Sequence, residues 1–243
     1  MAQNSKIEWC DHTHNPVYGC QKVSPGCDHC YAETMMDHRY HKVEWGPHGK
    51  RIRTSEANWR KPYTWAKKAG CFQAQHGRRQ RVFCASLADV FDNRWPDGTR
   101  EDLFRVIRDT PQLDWMLLTK RPENIAKMLP ADWGNGWPNV WLGTTCEDQQ
   151  YFNRRWPILR EVPAVVHFVS YEPALGPLVI GDARPTWIIC GGESGAGRRT
   201  RHMEPAWARA LRDECVAAGV AFFMKQMTRK SPIPDDLLVR QFP

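Results

Sequence analysis

Three cysteines fall within eleven residues in the stretch Gly19-Cys20-Gln21-Lys22-Val23-Ser24-Pro25-Gly26-Cys27-Asp28-His29-Cys30-Tyr31, spaced Cys-x6-Cys-x2-Cys. Thiolates are soft ligands that select zinc, copper(I) or iron–sulfur centres. Gly19 and Gly26 each precede a cysteine, where unhindered backbone can turn sharply enough to aim neighbouring sulfurs at one point. Pro25 stiffens the same loop. Tyr31-Ala32-Glu33-Thr34-Met35-Met36 has helix-forming composition. The third cysteine is therefore expected where loop becomes helix, and the helix start offers partial positive charge to an anionic cluster. Structural zinc takes four closed ligands, and Cys10, His12, His14 and His29 lie close enough in sequence to complete such a set. An iron–sulfur cubane on three thiolates instead leaves one iron open to an outside ligand. Spacing alone leaves zinc, iron–sulfur and unliganded thiols all standing.

The elements that must hold this loop show in the hydrophobic pattern. Apolar, β-prone runs recur at Arg81-Val82-Phe83-Cys84-Ala85-Ser86, Trp115-Met116-Leu117-Leu118-Thr119-Lys120, Val140-Trp141-Leu142-Gly143-Thr144-Thr145, Val165-Val166-His167-Phe168-Val169-Ser170, Trp187-Ile188-Ile189-Cys190 and Ala221-Phe222-Phe223-Met224-Lys225-Gln226. Helical patterns separate most of them: 98–110, 122–129 with Pro122 in its first turn, 147–159 until Pro157 disturbs it, and 204–218 ended by Gly219. Pro173, Pro177 and Pro185 leave little room for a helix over 171–186. Earlier in the chain, Ile7-Glu8-Trp9-Cys10 reads as a first strand and 30–42 as a first helix. Ser55 caps a helix through Trp59, and 70–80 reads as a polar connection. Continuous apolar strands alternating with helices indicate parallel strands buried on both faces. The expectation is an α/β fold, a partial (β/α) barrel of about six to seven mostly parallel strands in a single domain 1–243, with the cluster-binding loop at 10–31.

Asp89, Lys120, Glu147, Glu172, Glu193 and Lys225 all fall at or just past the end of an apolar run. In parallel α/β barrels that rim holds the active site. The cysteine loop follows the first strand at the same mouth, which favours an iron–sulfur centre over an isolated zinc knuckle. Each of these groups has a plainer reading as a rim salt bridge. Gly191-Gly192-Glu193-Ser194-Gly195-Ala196-Gly197-Arg198-Arg199 lacks the Lys-Ser/Thr ending of a P-loop. It reads as a rim loop whose Arg198, Arg199 and Arg201 meet a phosphate backbone or a ligand carboxylate, or else as a solvated loop. Cys84, Cys146 and Cys190 lie near strand ends and read mainly as small core residues; Cys146 alone is weighed as a hydrogen donor at the mouth. No Ser-His-Asp or paired-carboxylate arrangement stands out.

The chain has 243 residues, nine cysteines, twelve tryptophans and a formal charge of +7. It contains no apolar run long enough to span a membrane, and residues 1–6 lack the apolar region of a signal peptide. Dispersed cysteines without a secretion signal read as reduced thiols in the cytoplasm. Arginine clusters at 51–53, 78–81, 154–155 and 198–201, interleaved with aromatics, point to DNA or RNA as partner. The competing reading is a basic protein with core tryptophans and solvated arginines.

A partial barrel whose first loop holds three cysteines resembles the radical S-adenosylmethionine (SAM) superfamily. The run Asn15-Pro16-Val17-Tyr18-Gly19-Cys20 through Cys30-Tyr31-Ala32-Glu33, with Leu118-Thr119-Lys120-Arg121-Pro122 and Gly191-Gly192-Glu193-Ser194, more closely resembles a phage-associated three-cysteine-motif family. The usual superfamily spacing is Cys-x3-Cys-x2-Cys; here the first gap is six, and His29 takes the aromatic position before the third cysteine. The resemblance implies that Cys20, Cys27 and Cys30 ligate a [4Fe–4S] cluster, that SAM chelates the open iron, and that an external electron donor drives formation of a 5′-deoxyadenosyl radical. By position, His29, Asp89, Lys120, Thr145, Glu147, Glu172, Gly191, Gly192 and Glu193 are the candidates for contacting SAM. The expected substrate is large, with nucleic acid (lesion repair or base modification) foremost. The alternative is a noncatalytic nucleic-acid-binding protein with a structural zinc or iron–sulfur site.

Overall fold

The structure, a computed structural model, describes residues 5–195 and 199–243. Its frame is a seven-stranded, fully parallel sheet curled into a half-barrel and flanked by helices. In chain order the elements begin with β1 (His12–Thr13), β2 (Val17–Tyr18), α1 (Tyr31–Glu33), a π-helical turn (Thr34–Arg39) and β3 (Ile52–Arg53). Next come α2 (Glu56–Trp59), α3 (Lys61–Lys67), α4 (Ala69–His76), β4 (Gln80–Cys84), α5 (Thr99–Asp109), β5 (Leu113–Thr119) and α6 (Ile125–Met128). The chain then runs through β6 (Val140–Thr145), α7 (Gln149–Arg160), β7 (Val166–Tyr171), β8 (Trp187–Gly191), α8 (Pro205–Ala218) and β9 (Ala221–Gln226). The main sheet has the order β1-β4-β5-β6-β7-β8-β9, while β2 and β3 form a separate antiparallel pair beside the cysteine loop.

Alternation along the strands sorts the core into two layers. Val82, Cys84, Trp115, Leu117, Val140, Leu142, Val169, Ile188 and Phe222 pack outward against Leu103, Ile107, Phe152, Leu211 and Cys215 of the helices. Phe83, Met116, Trp141, Phe168, Trp187, Ile189 and Phe223 turn inward and fill the barrel with Trp9 and Cys10. Helix α5 buries Leu103, Phe104, Val106 and Ile107 and carries Glu101 and Asp102 in its first turn and Arg108 in its last, each sign suited to the helix dipole. Asp148 caps α7 by accepting from the Tyr151 amide at 3.0 Å. Gly219, left-handed at φ 69°, stops α8.

Several local expectations shift. Ile7 to Cys10 form no strand: the Cys10 amide turns back onto the Ile7 carbonyl, and Trp9 caps the barrel floor against Phe83 and Trp187. The first strand is β1. The polar connection expected at 70–80 contains α4, a largely exposed helix without an apolar face to reveal it, ended by Gly77. The first helix is three α-helical residues running into the π-helical turn. Residues 122–129 divide into a 3-10 turn and α6, and α7 runs through Pro157 to Arg160. No helix covers 171–186, as the prolines foretell. Among the described residues no helix is long and apolar enough to cross a membrane.

Candidate functional site

The cysteine loop lies across the carboxyl ends of the strands, and three carboxylates that follow strands fasten it there. Asp89, after β4, accepts from Arg121 Nη1 at 2.9 Å, Thr119 Oγ1 at 2.7 Å and the Lys120 amide at 3.0 Å. Arg121 in turn points both terminal nitrogens at Cys20 Sγ, 3.6 and 3.7 Å away, and donates to the Gln21 carbonyl. Glu147, fully buried after β6, accepts from Ser24 Oγ at 2.5 Å and Arg155 Nη1 at 2.8 Å. Glu193, after β8, meets His29 Nδ1 at 2.9 Å and Arg201 through its amide and Nη2. Burial pushes Glu193 up, but hydrogen bonds from Arg201 and His29 outweigh it and hold the carboxyl below its usual range.

Glycine serves this loop in two ways. Gly19 is left-handed at φ 105°, a conformation other residues rarely adopt. Gly26 instead lies so near Glu147 that a Cβ would come within 2.4 Å of its carboxylate oxygen. Gly26 is thus required by close approach to Glu147 rather than by the sharp turn expected of it. Cys30 is the N-cap of α1, where loop becomes helix.

Below the loop, the inward positions nearest the mouth form a polar layer. Lys225 Nζ pairs with Glu172, each side chain 18% exposed, and Lys120 Nζ donates to Thr145 Oγ1 at 3.3 Å. Buried Ser170 lies opposite Thr145 in the β6–β7 ladder. Gly191 borders this layer, where a Cβ would make ordinary contact with the Glu172 and Gln226 side chains at 3.5 Å. Gly192 differs, since a Cβ would collide with the Thr228 backbone at 2.5 Å; it serves packing. Two cations and one carboxylate in this layer suit a zwitterionic or anionic ligand.

A comparison with family models matches residues 4–234 to the family described as Protein of unknown function (DUF5131). The chain belongs to that family. No curated protein and no solved structure matches it. The family thus covers the cysteine loop and every rim residue described above, from Cys20 to Lys225.

Among the described residues no group of three or more His, Cys, Asp or Glu side chains stands in a metal-holding arrangement. The donor chemistry of the loop suits a soft anionic centre all the same. Burial pushes the Cys20 thiol up to about 12, while Arg121 pulls it down. Burial also raises Cys30, opposed by the backbone amides of Glu33 and Ala32 and the Lys120 cation. A fourth zinc ligand from the neighbouring residues fares worse. His12 is buried on the outer face and stacked on Trp65, His14 is buried against Trp59 and Trp115, and Cys10 belongs to the barrel floor.

Of the positions singled out in the sequence, Lys120, Thr145, Glu172 and Gly191 therefore belong to the inward polar layer. Asp89, Glu147, Glu193 and His29 hold the loop. Cys146 is buried in the outer core, with burial raising its thiol, and offers no group to the mouth. Arg201 is bound to Glu193 and Asp28, and Arg199 is exposed; Arg198 lies outside the described residues. Ser24, Arg121, Arg155 and Ser170 carry no site role in the sequence reading, although Arg121 adjoins Lys120 and Arg155 belongs to one of the basic clusters. The basic clusters are internal only in part: Arg51 and Arg155 are buried on Asp92 and Glu147, whereas Arg78 pairs with Asp11 half-exposed and Arg154 is exposed. A groove of about 690 Å³ between α6 and α7, lined by residues such as Pro122, Trp133, Pro157 and Ile158, carries only Glu123 and Glu161 as ionisable groups.

Proposed function

We propose that this chain is a radical SAM iron–sulfur enzyme working at the mouth of the half-barrel. The observation that carries the reading is the three-point fastening of a three-cysteine loop over a polar layer at the carboxyl ends of parallel strands. Cys20, Cys27 and Cys30 would hold a [4Fe–4S] cluster which, when bound, supplies with SAM the means to make a 5′-deoxyadenosyl radical. Lys120 and Lys225 would bind the carboxylate of SAM, and Glu172 and Thr145 its ammonium or hydroxyl groups. Asp89 through Arg121, Glu147 through Ser24, and Glu193 through His29 fix the loop over that polar layer. The open side of the half-barrel admits a large substrate, with DNA or RNA, in lesion repair or base modification, as the foremost candidates. Reduced thiols and an external electron donor fit a cytoplasmic setting.

The spent rim carboxylates favour a second reading, a nucleic-acid-binding protein whose metal site is structural. Anaerobic reconstitution separates the two. Iron and sulfide near four each, with a paramagnetic resonance signal of the reduced cluster that changes on adding SAM and disappears in Cys27→Ala, is expected. A signal indifferent to SAM removes SAM chelation, and one zinc with no iron moves the assignment to the second reading.

A further inference from the structure

Nine tryptophans, Trp9, Trp59, Trp65, Trp95, Trp115, Trp133, Trp141, Trp156 and Trp187, are buried. They cannot be the stacking surface that the composition hints at. Among the described residues the exposed aromatic rings are Tyr31 and Tyr40, at 47% and 49%, and both lie on the segment that leaves the cysteine loop. Tyr31 directly follows Cys30, and its hydroxyl donates to the Ser86 carbonyl at 2.6 Å. The ring is thus anchored at its far end while much of it stays open to solvent. Tyr40 closes the π-helical turn, with the Arg39 guanidinium 5.4 Å from its ring centre.

Charge follows the same face. His38, Arg39, Tyr40, His41 and Lys42 are consecutively exposed with no acid among them. The Asp37 carboxylate is occupied by the Trp45 amide at 2.7 Å; Glu44 is the exposed acid nearby, and Lys50 is exposed beyond it. The face is firmly mounted. Ala32, Met36, Val43 and Leu87 form a small core beneath it, with Cys30 packed against them. The Gly46 amide donates to the Cys20 carbonyl at 3.0 Å, and Gly19 fits closely under Lys50 and Val43.

We infer that this face, Tyr31 to Lys42 together with Lys50, is a docking surface for single-stranded nucleic acid, with Tyr31 and Tyr40 stacking on unpaired bases and Arg39, Lys42 and Lys50 meeting phosphates. Exposed ring faces flanked by cations are the features by which single strands are held without sequence preference, and a duplex keeps its base faces covered. The π-helical turn and left-handed His41, at φ 47°, lift Tyr40 and Lys42 on this face; such irregular turns recur at functional sites. Because Tyr31 adjoins Cys30, a strand stacked on it would run past the mouth. That delivery to the mouth rests on the proposed radical chemistry; the binding itself does not.

The test is fluorescence anisotropy of a short labelled single-stranded oligonucleotide with the full chain, iron and zinc content being measured on the same samples. Tyr40→Ala is expected to weaken binding about tenfold, the scale of one lost stacking contact. Arg39→Gln with Lys42→Gln should reduce the salt slope by roughly 1.4, about 0.7 for each phosphate contact. Lys67→Gln with Lys68→Gln, two exposed lysines on another segment, should leave both unchanged. Photocrosslinks from a bromouracil-substituted strand should map to Tyr31 or Tyr40. The inference is overturned if the strand does not bind, if the Lys67/Lys68 variant weakens it equally, if duplex or polyglutamate displaces it as well as unlabelled single strand does, or if crosslinks map elsewhere. Binding by a chain without iron keeps this surface and removes the radical chemistry; a SAM-responsive cluster in a chain that binds no strand does the reverse.

Discussion

Arg121 joins two parts of the chain that have no sequence relation, placing its guanidinium on the sulfur of Cys20 while Asp89 holds it from behind. Both members of that ion pair are almost fully buried, with side chains 6% and 8% exposed, so removing one strands the other's charge. Arg121→Gln is expected to cost roughly 3 kcal/mol in urea unfolding, and adding Asp89→Asn to restore part of it, because breaking a buried pair costs more than replacing it. His14 offers a separate titration. Its ring is fully buried between Trp59 and Trp115, neither nitrogen has a hydrogen-bond partner among the described residues, and burial, with Lys61 adding to it, lowers its pKa to about 3. The unfolded chain takes up this proton near pH 6.5 and the folded chain does not. Stability held above pH 6.5 is therefore lost as the pH falls from there toward 3, by up to about 1.4 kcal/mol per pH unit. His14→Phe should flatten that part of the melting-temperature profile relative to the unsubstituted chain; an unchanged profile would show that this ring is not what titrates.

At the scale of elements, the inward face of β6 and β7 shows how tightly the barrel layers fit. A Cβ on Gly143 would fall 2.3 Å from the Phe168 ring, so the glycine is the space into which that ring packs. Gly143→Ala should destabilise the fold by about 1–3 kcal/mol, read from denaturant unfolding, because the ring must leave its rotamer or the strands must part. The elements that sequence alone locates well, β5, β6, α5 and α8, carry their signal in their own residues: continuous apolar runs or a one-sided apolar face. Helix α4 has neither, since most of its residues are exposed. The π-helical turn is likewise set by packing of Met36, Val43 and Leu87 rather than by local propensity.

For the whole molecule, curling a parallel sheet brings the residues after every strand to one mouth, and the cysteine loop is laid over it. The rim carboxylates expected to bind SAM divide into two groups by depth. Asp89, Glu147 and Glu193 reach upward to the loop, while Glu172 stays below it, paired with Lys225. The same curling draws most of the tryptophans inside, so the exposed aromatic rings among the described residues, Tyr31 and Tyr40, lie on the segment next to the cysteines, while basic side chains such as Lys67, Arg105 and Arg154 stay exposed elsewhere as well.

The amino-acid sequence by itself determined the alternation of apolar strands and helices, the parallel α/β class, the three-cysteine loop and the place of Lys120, Thr145, Glu172 and Gly191 at strand ends. These follow from periodicity and residue type, which are properties of neighbours along the chain. Only the tertiary structure decided that Glu147 meets Ser24, that Arg121 sits on Cys20, and that, among the described residues, His14 is sealed without a hydrogen-bond partner and Tyr31 and Tyr40 are the aromatic rings left exposed. Those outcomes depend on which distant residues the curled sheet brings together and which faces it covers, and pairing energies of that kind leave no mark on local spacing.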